Sequence, residues 1–530
     1  MMNKKLYTAE EAVKCVEDGS VIVASGFIVA MSAEELFTAL SERFQQTGSP
    51  KDITVIHGSG VSEFADGLDC GINNFGIDGM LKRTISGYYG NADRIIRLIR
   101  ENKIESYNFP IGVVAHLLRE FSRGQDGLFT KVGLKTFVDP RLSGAGMNEV
   151  SKEEYVKLLN IEGKEYLYYT CQKPDVCFIR ATTADEFGNL SFEDEAVLSL
   201  SQVAAMATHQ NGGTVIVQVK NYVSAGSIDA QQVHIPGIYV DRIVVAKNPI
   251  ENHRQVSGTY FDPVFAGHYR KKDLTAITLP LDERKIVGRR ASMELVPGAV
   301  VNLGIGMPET VSAVAAEEGF ADQIVMTVEA GGIGGIPAGG RNFGACYNNW
   351  SLVSEEKMFD FYDGGGLDVC FLGCAEISRS GDVNASKLGG SMKGCGGFIN
   401  ISQMSKNIVF CFTFTSGGLK TLTGDGKLQI VNEGRNKKFL NNIEQVTFSS
   451  EYAVDSGQNV LFVTERCVFK LTKHGLELIE IAPGIDIERD ILANMDYKPY
   501  ISPHLKTMDE RIFKHDLVGV KDIVMGREKA

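Results

Sequence analysis

The amino-acid sequence repeats a local pattern at a distance of about half its length. An apolar run flanked by glycine occupies residues 19–27 (GSVIVASGF), and a similar run occupies residues 298–306 (GAVVNLGIG). The offset is 298 − 19 = 279 residues. Each run follows a stretch with amphipathic helical spacing and precedes a second helical stretch. The pattern therefore predicts helix, buried strand, glycine turn and helix in both places.

A second pair of similar segments has a shorter offset. Residues 175–179 (DVCFI) correspond to residues 368–372 (DVCFL), with an offset of 368 − 175 = 193. The difference is 279 − 193 = 86 residues, so the first half carries an insertion between Phe27 and Asp175. We place most of this insertion in residues 81–148.

Two related domains account for both pairs of segments, and 530 residues are too many for one hydrophobic core. Apolar, β-branched runs at 215–219 and 243–246 predict strands buried on both faces, as in parallel sheets. We predict an α/β fold class with two related open α/β domains and mainly parallel sheets. The N-terminal domain, with the insertion, is expected over residues 1–280 and the C-terminal domain over 281–530, with the boundary near residues 274–281.

The composition of the chain limits the kinds of molecule that it is expected to bind. The net charge of −12 argues against nucleic acid, because phosphate binding requires a basic excess. The ten cysteines are scattered without a CxxC pair, which is typical of a reducing compartment. No stretch has the composition of a signal peptide or a membrane span, so we expect a cytoplasmic protein that does not bind membranes. The nine histidines show no metal-ligand spacing, and no metal is expected.

Glu329 is the first candidate for chemistry. It directly follows a predicted strand at residues 324–328, and six glycines lie between Gly331 and Gly340. Open α/β sheets bind ligands at the carboxyl ends of their strands, and glycines allow a ligand to approach the backbone. The alternative interpretation is a glutamate that caps a turn beside a flexible surface loop.

Asn302 is the second candidate, because it lies inside an apolar strand where a buried amide needs a partner. Gly304, Gly306 and Pro308 follow it and predict a turn into a helix whose N-terminus favours an anion. The alternative is an amide bonded to neighbouring groups in the core. A third candidate, the turn at residues 394–397 (GCGG), could direct backbone N–H groups at an oxyanion, or could simply lead into the next element.

Taken together, these segments resemble the family I CoA-transferases, in particular the single-chain propionate and acetate CoA-transferases. The resemblance extends over nearly the whole chain. It rests on the segments 301–306 (VNLGIG), 328–335 (VEAGGIGG), 361–368 (FYDGGGLD) and 394–399 (GCGGFI), with support from 136–141, 235–241 and 481–486.

The resemblance implies a role for each site residue. Glu329 is the implied nucleophile, which forms a thioester with CoA. The implied CoA-binding residues are Asn302, Gly304, Gly306, Gly396 and Gly397, and the implied oxyanion and acyl pocket consists of Gly26, Tyr88, Ile111, Gly397 and Phe398. Family members are usually dimers or tetramers, so a homodimer or homotetramer is expected.

Two positions depart from the family pattern. Relatives carry a glutamine where this sequence has Ile111, and a His-Trp pair where it has Tyr88 and Tyr89. Glutamine can donate a hydrogen bond near the acyl group and isoleucine cannot. These departures affect the expected acyl substrate more than the expected reaction.

The predicted function is transfer of CoA between short-chain acyl-CoA and free short-chain carboxylic acids. These acids and acyl-CoA are the expected partners, CoA is a substrate, and no cofactor is expected. Two alternatives stay open from the sequence. The first is an acyl-CoA thioester hydrolase that uses the same glutamate, and the second is a non-catalytic CoA-binding relative.

Overall fold

The computed structural model describes residues 5–65, 68–272 and 279–527, which fold into two compact units. The first unit consists of Met1–Lys271, Val328–Asp360 and Gly389–Asn400. The second consists of Lys272–Thr327, Phe361–Leu388 and Ile401–Ala530. The domain boundary expected near residues 274–281 lies largely outside the described residues, and the division at 280/281 stays a prediction. Compactness assigns two segments of the second half of the chain to the first unit.

The described residues up to 272 contain six α-helices, namely α1 (Ala9–Ala12), α2 (Glu34–Thr47), α3 (Asp93–Arg100), α4 (Ile111–Ser122), α5 (Ser201–Gln210) and α6 (Pro249–Asn252). The strands of the same part are β1 (Leu6–Tyr7), β2 (Val21–Phe27), β3 (Ile53–Ser59), β4 (Ser62–Ala65), β5 (Leu68–Gly71), β6 (Leu81–Tyr88), β7 (Glu105–Asn108), β8 (Leu128–Thr130), β9 (Val156–Ile161), β10 (Lys164–Tyr169), β11 (Val176–Asp185), β12 (Leu190–Ser191), β13 (Thr214–Val223) and β14 (Arg242–Val245).

The described residues from 279 contain six more α-helices, namely α7 (Glu283–Ser292), α8 (Thr310–Glu317), α9 (Glu355–Asp363), α10 (Phe398–Met404), α11 (Ser450–Asp455) and α12 (Val520–Met525). Their strands are β15 (Val300–Leu303), β16 (Val325–Thr327), β17 (Gly332–Ile333), β18 (Ile336–Pro337), β19 (Cys346–Tyr347), β20 (Ser351–Leu352), β21 (Val369–Leu372), β22 (Glu376–Ile377), β23 (Val383–Asn384), β24 (Lys387–Leu388), β25 (Ser391–Met392), β26 (Asn407–Cys411), β27 (Thr415–Ser416), β28 (Lys420–Gly424), β29 (Lys427–Asn432), β30 (Asn436–Lys437), β31 (Asn459–Val463), β32 (Cys467–Thr472), β33 (Gly475–Ile481) and β34 (Tyr500–Thr507).

The first unit is built on a parallel sheet with the strand order β1-β14-β13-β11-β2-β3-β6-β7, and the short β12 pairs with β11 in the antiparallel sense. Every residue of β2, β3 and β11 is buried. Strands covered on both faces read as near-continuous apolar runs, which is why the sequence showed no alternation here.

Within the second unit the parallel strands follow the order β16-β15-β21-β26-β31. β32 and β33 continue this sheet in the antiparallel sense, and β34 pairs parallel to β33. The predicted α/β class with two open, mainly parallel sheets is confirmed.

The two sheets repeat each other strand by strand, since β14-β13-β11-β2-β3 in one corresponds to β31-β26-β21-β15-β16 in the other. Their registers match as well. Val176 pairs with Ile22, and Val369 pairs with Val301, so both offsets recur (301 − 22 = 279 and 369 − 176 = 193).

An aspartate caps the equivalent junction in both sheets. The carboxylate of Asp175 accepts from the backbone N–H of Val21 at 3.0 Å, and that of Asp368 accepts from Val300 at 2.8 Å. The two pairs of similar segments in the sequence therefore correspond to one structural element that occurs twice.

The insertion predicted for residues 81–148 contains β6, α3, β7, α4 and β8. β6 and β7 extend the first sheet beyond β3. In the part of the chain that the structure describes, no helix is long and apolar enough to span a membrane.

Candidate active site

Three neighbouring strands of the first unit end at one edge of its sheet and bring polar residues together there. β3 ends at Ser59, β6 at Tyr88 and β7 at Asn108. The register places Ser59 beside Tyr88, and Ser86 beside Asn108. Because these strands are parallel, their carboxyl ends meet, and this is where open α/β sheets bind ligands.

The glycine-rich turn before α10 is bonded to this edge. The side chain of Asn108 donates to the carbonyl oxygen of Gly87 at 2.8 Å and accepts from the N–H of Cys395 at 2.8 Å. The N–H of Gly396 donates to the carbonyl oxygen of Gly87 at 2.8 Å, and that of Ile111 donates to Gly396 at 3.0 Å. These bonds tie the turn to the ends of β6 and β7 and to the start of α4.

The next residue of this turn, Gly397, contacts the candidate nucleophile. Its backbone N–H donates to the carboxylate of Glu329. A Cβ atom at this position would strike Oε2 of Glu329 and would lie 3.1 Å from Cζ of Phe359. Only glycine lets the backbone come this close to the carboxylate.

Protein atoms surround the carboxyl group of Glu329, although the residue as a whole is half-buried. This burial raises the pKa of Glu329 to about 7, while the hydrogen bond from Gly397 acts in the opposite direction. The group is therefore a weakly solvated carboxylate near neutral pH.

The glycine-rich stretch after Glu329 forms two short hairpins, in which β17 pairs with β20 and β18 with β19. Gly331 has a φ of +112°, and a Cβ atom there would strike the carbonyl oxygen of Val353. The glycines of this stretch allow close backbone packing. The alternative interpretation, a flexible surface loop, was wrong.

A second buried carboxyl group lies at the same edge. Glu355 is the first residue of α9 and is 0% exposed. Its carboxylate accepts from the hydroxyl of Ser59, and from that of Ser199 at 3.4 Å. Burial, reinforced by the charge on Glu329, raises the pKa of Glu355 to about 8.

Sequence reasoning missed Glu355 and its two serines. A pair of acidic residues at the start of a helix is common on exposed surfaces, so residues 355–356 gave no sign of burial. In the segment that contains Asn108, the sequence indicated a role only for Ile111.

The adjacent Tyr88 and Tyr89 point to different surroundings. Tyr89 is buried, and its hydroxyl bonds to the hydroxyl of Ser106 and donates to the carbonyl oxygen of Tyr107 at 3.2 Å. Tyr88 is half-buried, and burial together with the charge on Glu329 raises the pKa of its phenol. Of the two, Tyr88 is the one beside Glu329.

The remaining predicted pocket residues of the first unit have different surroundings. Ile111 is 1% exposed and packs against the backbone of Gly87 and Gly396. Phe398 directly follows Gly397 and begins α10. Gly26 lies near the end of β2, where its neighbour is the side chain of Val61.

The other predicted CoA-binding residues belong to the second unit. The side chain of Asn302 is buried and donates to the hydroxyl of Tyr362 at 3.2 Å and to the carbonyl oxygen of Thr327 at 3.5 Å. This satisfied amide matches the alternative raised from the sequence, and the role in CoA binding stays a prediction.

Gly304 and Gly306 follow β15, and the N–H of Gly304 donates to the carbonyl oxygen of Phe371 at 2.8 Å. The helix expected at Pro308 begins two residues later, at Thr310.

The structure thus brings together Glu329, Tyr88, Ile111, Gly396 and Gly397 within the first unit. Within residues 5–65, 68–272 and 279–527, no group of three or more histidine, cysteine, aspartate or glutamate side chains could hold a metal ion. The site offers a carboxylate, a backbone N–H donor and a phenol. These groups suit acyl transfer through a carboxylate nucleophile.

The sequence also matches a family model. Residues 6–246 and 284–489 match the model of the coenzyme A transferases, and the chain belongs to this family. The prediction that the chain is a CoA-transferase is therefore confirmed.

Two relatives match over nearly their whole length. The chain is 44% identical to acetate CoA-transferase YdiF of Escherichia coli K12, over 97% of this chain and 96% of the relative. It is 43% identical to caffeate CoA-transferase of Acetobacterium woodii, over 99% and 100% of the two chains.

A solved structure shares the same architecture. The thioester complex with CoA of the acyl-CoA transferase YdiF from Escherichia coli O157:H7 superposes with a TM-score of 0.89 at 41% identity, covering 97% of each chain.

Proposed function

We propose that this CoA-transferase moves CoA between short-chain acyl-CoA and free short-chain carboxylic acids, with Glu329 as the nucleophile. The acids in question are of the acetate, propionate and butyrate class. The observation that carries the proposal is the carboxylate of Glu329, enclosed by protein and bonded to the N–H of Gly397. A nucleophile and an adjacent backbone donor are the two groups that acyl transfer requires.

The proposed reaction has two halves. The carboxylate of Glu329 attacks the thioester carbonyl of acyl-CoA, CoA thiolate leaves, and an acyl-glutamyl anhydride forms. The thiolate then attacks the glutamyl carbonyl, which releases the free acid and leaves CoA as a thioester on Glu329. The acceptor acid runs these steps in reverse, so the kinetics are ping-pong.

Two effects lower the barrier of this reaction, the enclosure of Glu329 and the binding of CoA. A poorly solvated carboxylate loses less solvation when it attacks, and the binding energy of the remote parts of CoA offsets the cost of the anhydride. Exclusion of water also protects the anhydride and the thioester from hydrolysis. Because the pKa of Glu329 is about 7, the nucleophilic form increases through neutral pH.

The N–H of Gly397 is assigned to the oxyanion. In the free enzyme it donates to the carboxylate of Glu329. When Glu329 becomes acylated, the same donor is positioned for the tetrahedral oxyanion that forms on the glutamyl carbonyl. Tyr88, Ile111, Phe398 and Gly26 are proposed to shape the acyl pocket, whereas Asn302, Gly304, Gly306 and Gly396 are proposed to contact CoA.

The chemistry uses Glu329 and two substrates, so none of its steps calls for a metal or a redox cofactor. We also propose a homodimer or homotetramer in the cytoplasm. All ten cysteines are free thiols, in keeping with a reducing compartment.

The test uses Glu329→Gln, which keeps the size of the side chain and removes the nucleophile. Wild-type protein incubated with acetyl-CoA should gain the mass of CoA on the peptide that contains Glu329, and the variant should not. Exchange should then be measured with acetate, propionate, butyrate, lactate and caffeate as acceptors, since the relatives act on different acids. Near wild-type exchange by Glu329→Gln would overturn the assignment.

The same assay distinguishes a CoA-transferase from the two alternatives that the sequence left open. Release of free CoA without an acceptor acid would identify a hydrolase, and CoA binding without exchange would identify a non-catalytic relative.

A further inference from the structure

Glu329 and Glu355 lie at the same edge of the first sheet and act on each other, and the proposed reaction uses only Glu329. The second, Glu355, is 0% exposed, and its partners are the hydroxyls of Ser59 and Ser199. Among the described residues, no lysine, arginine or histidine forms an ion pair with Glu355. A buried carboxylate is normally paired with a cation, so this arrangement requires another explanation.

The charges around Glu355 are negative. Glu329 acts on it from the segment after β16, and Glu356 acts on it from its own helix. The groups that face it from β3 and from the residues before α5 are the uncharged hydroxyls of Ser59 and Ser199. Two neighbouring carboxylates in a poorly solvated place cannot both ionise without a large penalty.

The hydroxyl partners suit a protonated carboxyl group. A neutral carboxylic acid donates one hydrogen bond and accepts others, and serine hydroxyls can do both. The hydroxyl of Ser25 lies 3.3 Å from that of Ser199 and 3.0 Å from that of Ser201. This group of hydroxyls can reorient when Glu355 gains or loses its proton.

We propose that Glu355 is a positioning residue that keeps its proton while Glu329 is ionised, so that these two groups together carry one negative charge. The inference rests on the proposed function of Glu329. In the free enzyme the single charge belongs to the nucleophile. If Glu355 also ionised, its charge would oppose the oxyanion that forms when Glu329 attacks the thioester. Glu355 exchanges no proton with the substrate and forms no bond to it.

The kinetic test is the pH profile of kcat/KM for acetyl-CoA with propionate as acceptor, each variant normalised to its own maximum. This parameter reports ionisations of the free enzyme, and neither substrate titrates between about pH 7.5 and 9.5. Wild-type kcat/KM should decline by about tenfold per pH unit above the ionisation of Glu355. Glu355→Gln, which mimics the neutral acid, should lose this decline.

Glu356→Gln is the matched control. Glu356 is the adjacent residue and is also buried, but its carboxylate bonds to Ser354. This variant should keep a decline of the same slope, with its midpoint at a somewhat lower pH because the charge of Glu356 no longer raises the pKa of Glu355. A decline in Glu355→Gln equal to that of the wild type, or a flat wild-type profile, would overturn the proposal.

A second measurement does not depend on catalysis. Infrared pH-difference spectra of wild-type protein and of Glu329→Gln should show a protonated carboxyl band that disappears as the pH rises. Glu34, whose pKa is raised to about 7 by burial, contributes to such a band in every variant. The component from Glu355 should be absent from Glu329→Gln/Glu355→Gln. Its midpoint should be lower in Glu329→Gln than in the wild type, because the neighbouring charge is gone. Absence of the Glu355 component from wild-type protein at pH 7 would refute the proposal.

If Glu355→Gln fails to fold, the infrared experiment still tests the protonation of Glu355, because it compares the midpoint of the carboxyl band between wild-type protein and Glu329→Gln. If wild-type protein forms no adduct with acetyl-CoA, the proposed function fails, and the infrared band still decides the protonation of Glu355.

Discussion

At the scale of single residues, Gly397 determines how close the backbone comes to Glu329. Its N–H bonds to the carboxylate, and a Cβ atom would strike Oε2. We expect Gly397→Ala to displace the carboxylate and to lower the rate of thioester formation by about 100-fold or more, the scale of a lost oxyanion donor. Rapid quench with acetyl-CoA followed by mass spectrometry measures this rate.

Gly424→Ala is a suitable control, because no heavy atom lies within 4 Å of a Cβ atom at that position. Its thioester formation should match the wild type. Normal thioester formation by Gly397→Ala would show that the backbone at this turn does not assist the reaction.

Ile111 carries the prediction about acyl specificity. Its side chain is buried against Gly87 and Gly396, beside the turn that bonds to Glu329. An apolar side chain here disfavours a polar substituent on the acid, so propionate should be preferred over lactate. Ile111→Gln should shift the kcat/KM ratio toward lactate by about 1–3 kcal/mol, the scale of one satisfied buried polar contact.

Ile111→Leu keeps the apolar character and should leave the ratio unchanged. An unchanged ratio in Ile111→Gln as well would identify Ile111 as a packing residue. A tyrosine hydroxyl near the acyl group would replace the donor that glutamine supplies in relatives. Tyr89 does not supply it, because its hydroxyl is bonded in the core, so Tyr88 is the residue that would do so.

The sequence indicates the environment of a residue where its position in the chain is enough to reveal it. Glu329 was identifiable because it follows a strand and precedes glycines. Glu355 was not, since its burial depends on Ser59 and Ser199, which are remote in sequence. Asn302 was recognised as a buried amide, but the sequence could not reveal that Tyr362 and Thr327 satisfy it.

At the scale of elements, a buried ionic group ties β11 to the residues after α6. Arg180 lies 2.6 Å from one carboxylate oxygen of Glu195, and His253 lies 3.0 Å from the other. Burial acts to raise the pKa of Glu195, but Arg180 and His253 outweigh it and lower the pKa to about 2. The folded state therefore favours the ionised form.

Because the pKa of Glu195 is lowered in the folded state, the stability of the protein depends on pH. The contribution of Glu195 is complete above its ordinary pKa and is lost as the pH falls toward about 2. Glu195→Gln should lower the free energy of unfolding at pH 7 by about 3–5 kcal/mol, because it leaves Arg180 buried without its partner. Urea unfolding at pH 7 and at about pH 3.5 should show a smaller difference at the lower pH.

Glu101→Gln removes exposed ion pairs with Arg97 and Lys103 and should leave the unfolding transition where it is. An equal destabilisation by Glu195→Gln at both pH values would contradict the conclusion that the folded state favours the ionised form of Glu195.

Long elements were predictable and short ones were not. β2, β11 and β13 are apolar runs whose type follows from composition, and the repeat indicated the equivalents of β2 and β11 in the second half. The two-residue strands β17 to β20 have no periodicity to detect. They exist because the backbones around Gly331 approach each other closely.

At the scale of the whole molecule, the chain passes between the two compact units five times, at 271/272, 327/328, 360/361, 388/389 and 400/401. The first unit therefore needs residues 328–360 and 389–400 from the second half. We expect the fragment 1–280 expressed alone to lack a cooperative urea transition, because part of its core is missing.

Co-expression of fragments 1–280 and 281–530 should restore both the transition and thioester formation. Co-expression with a second fragment that lacks residues 328–360 is the control and should restore neither. A cooperative transition in fragment 1–280 alone would show that the first half is a complete domain.

The two repeated sheets agree in their strands but differ in the segments that follow those strands. Their strand order and register still agree, yet the hairpins that follow Glu329 belong to the opposite unit from the strand that precedes it in the chain. The second half of the sequence thus supplies residues 328–360 and 389–400 to the first unit, so a substitution in these segments acts on the stability of the first unit rather than on that of the second.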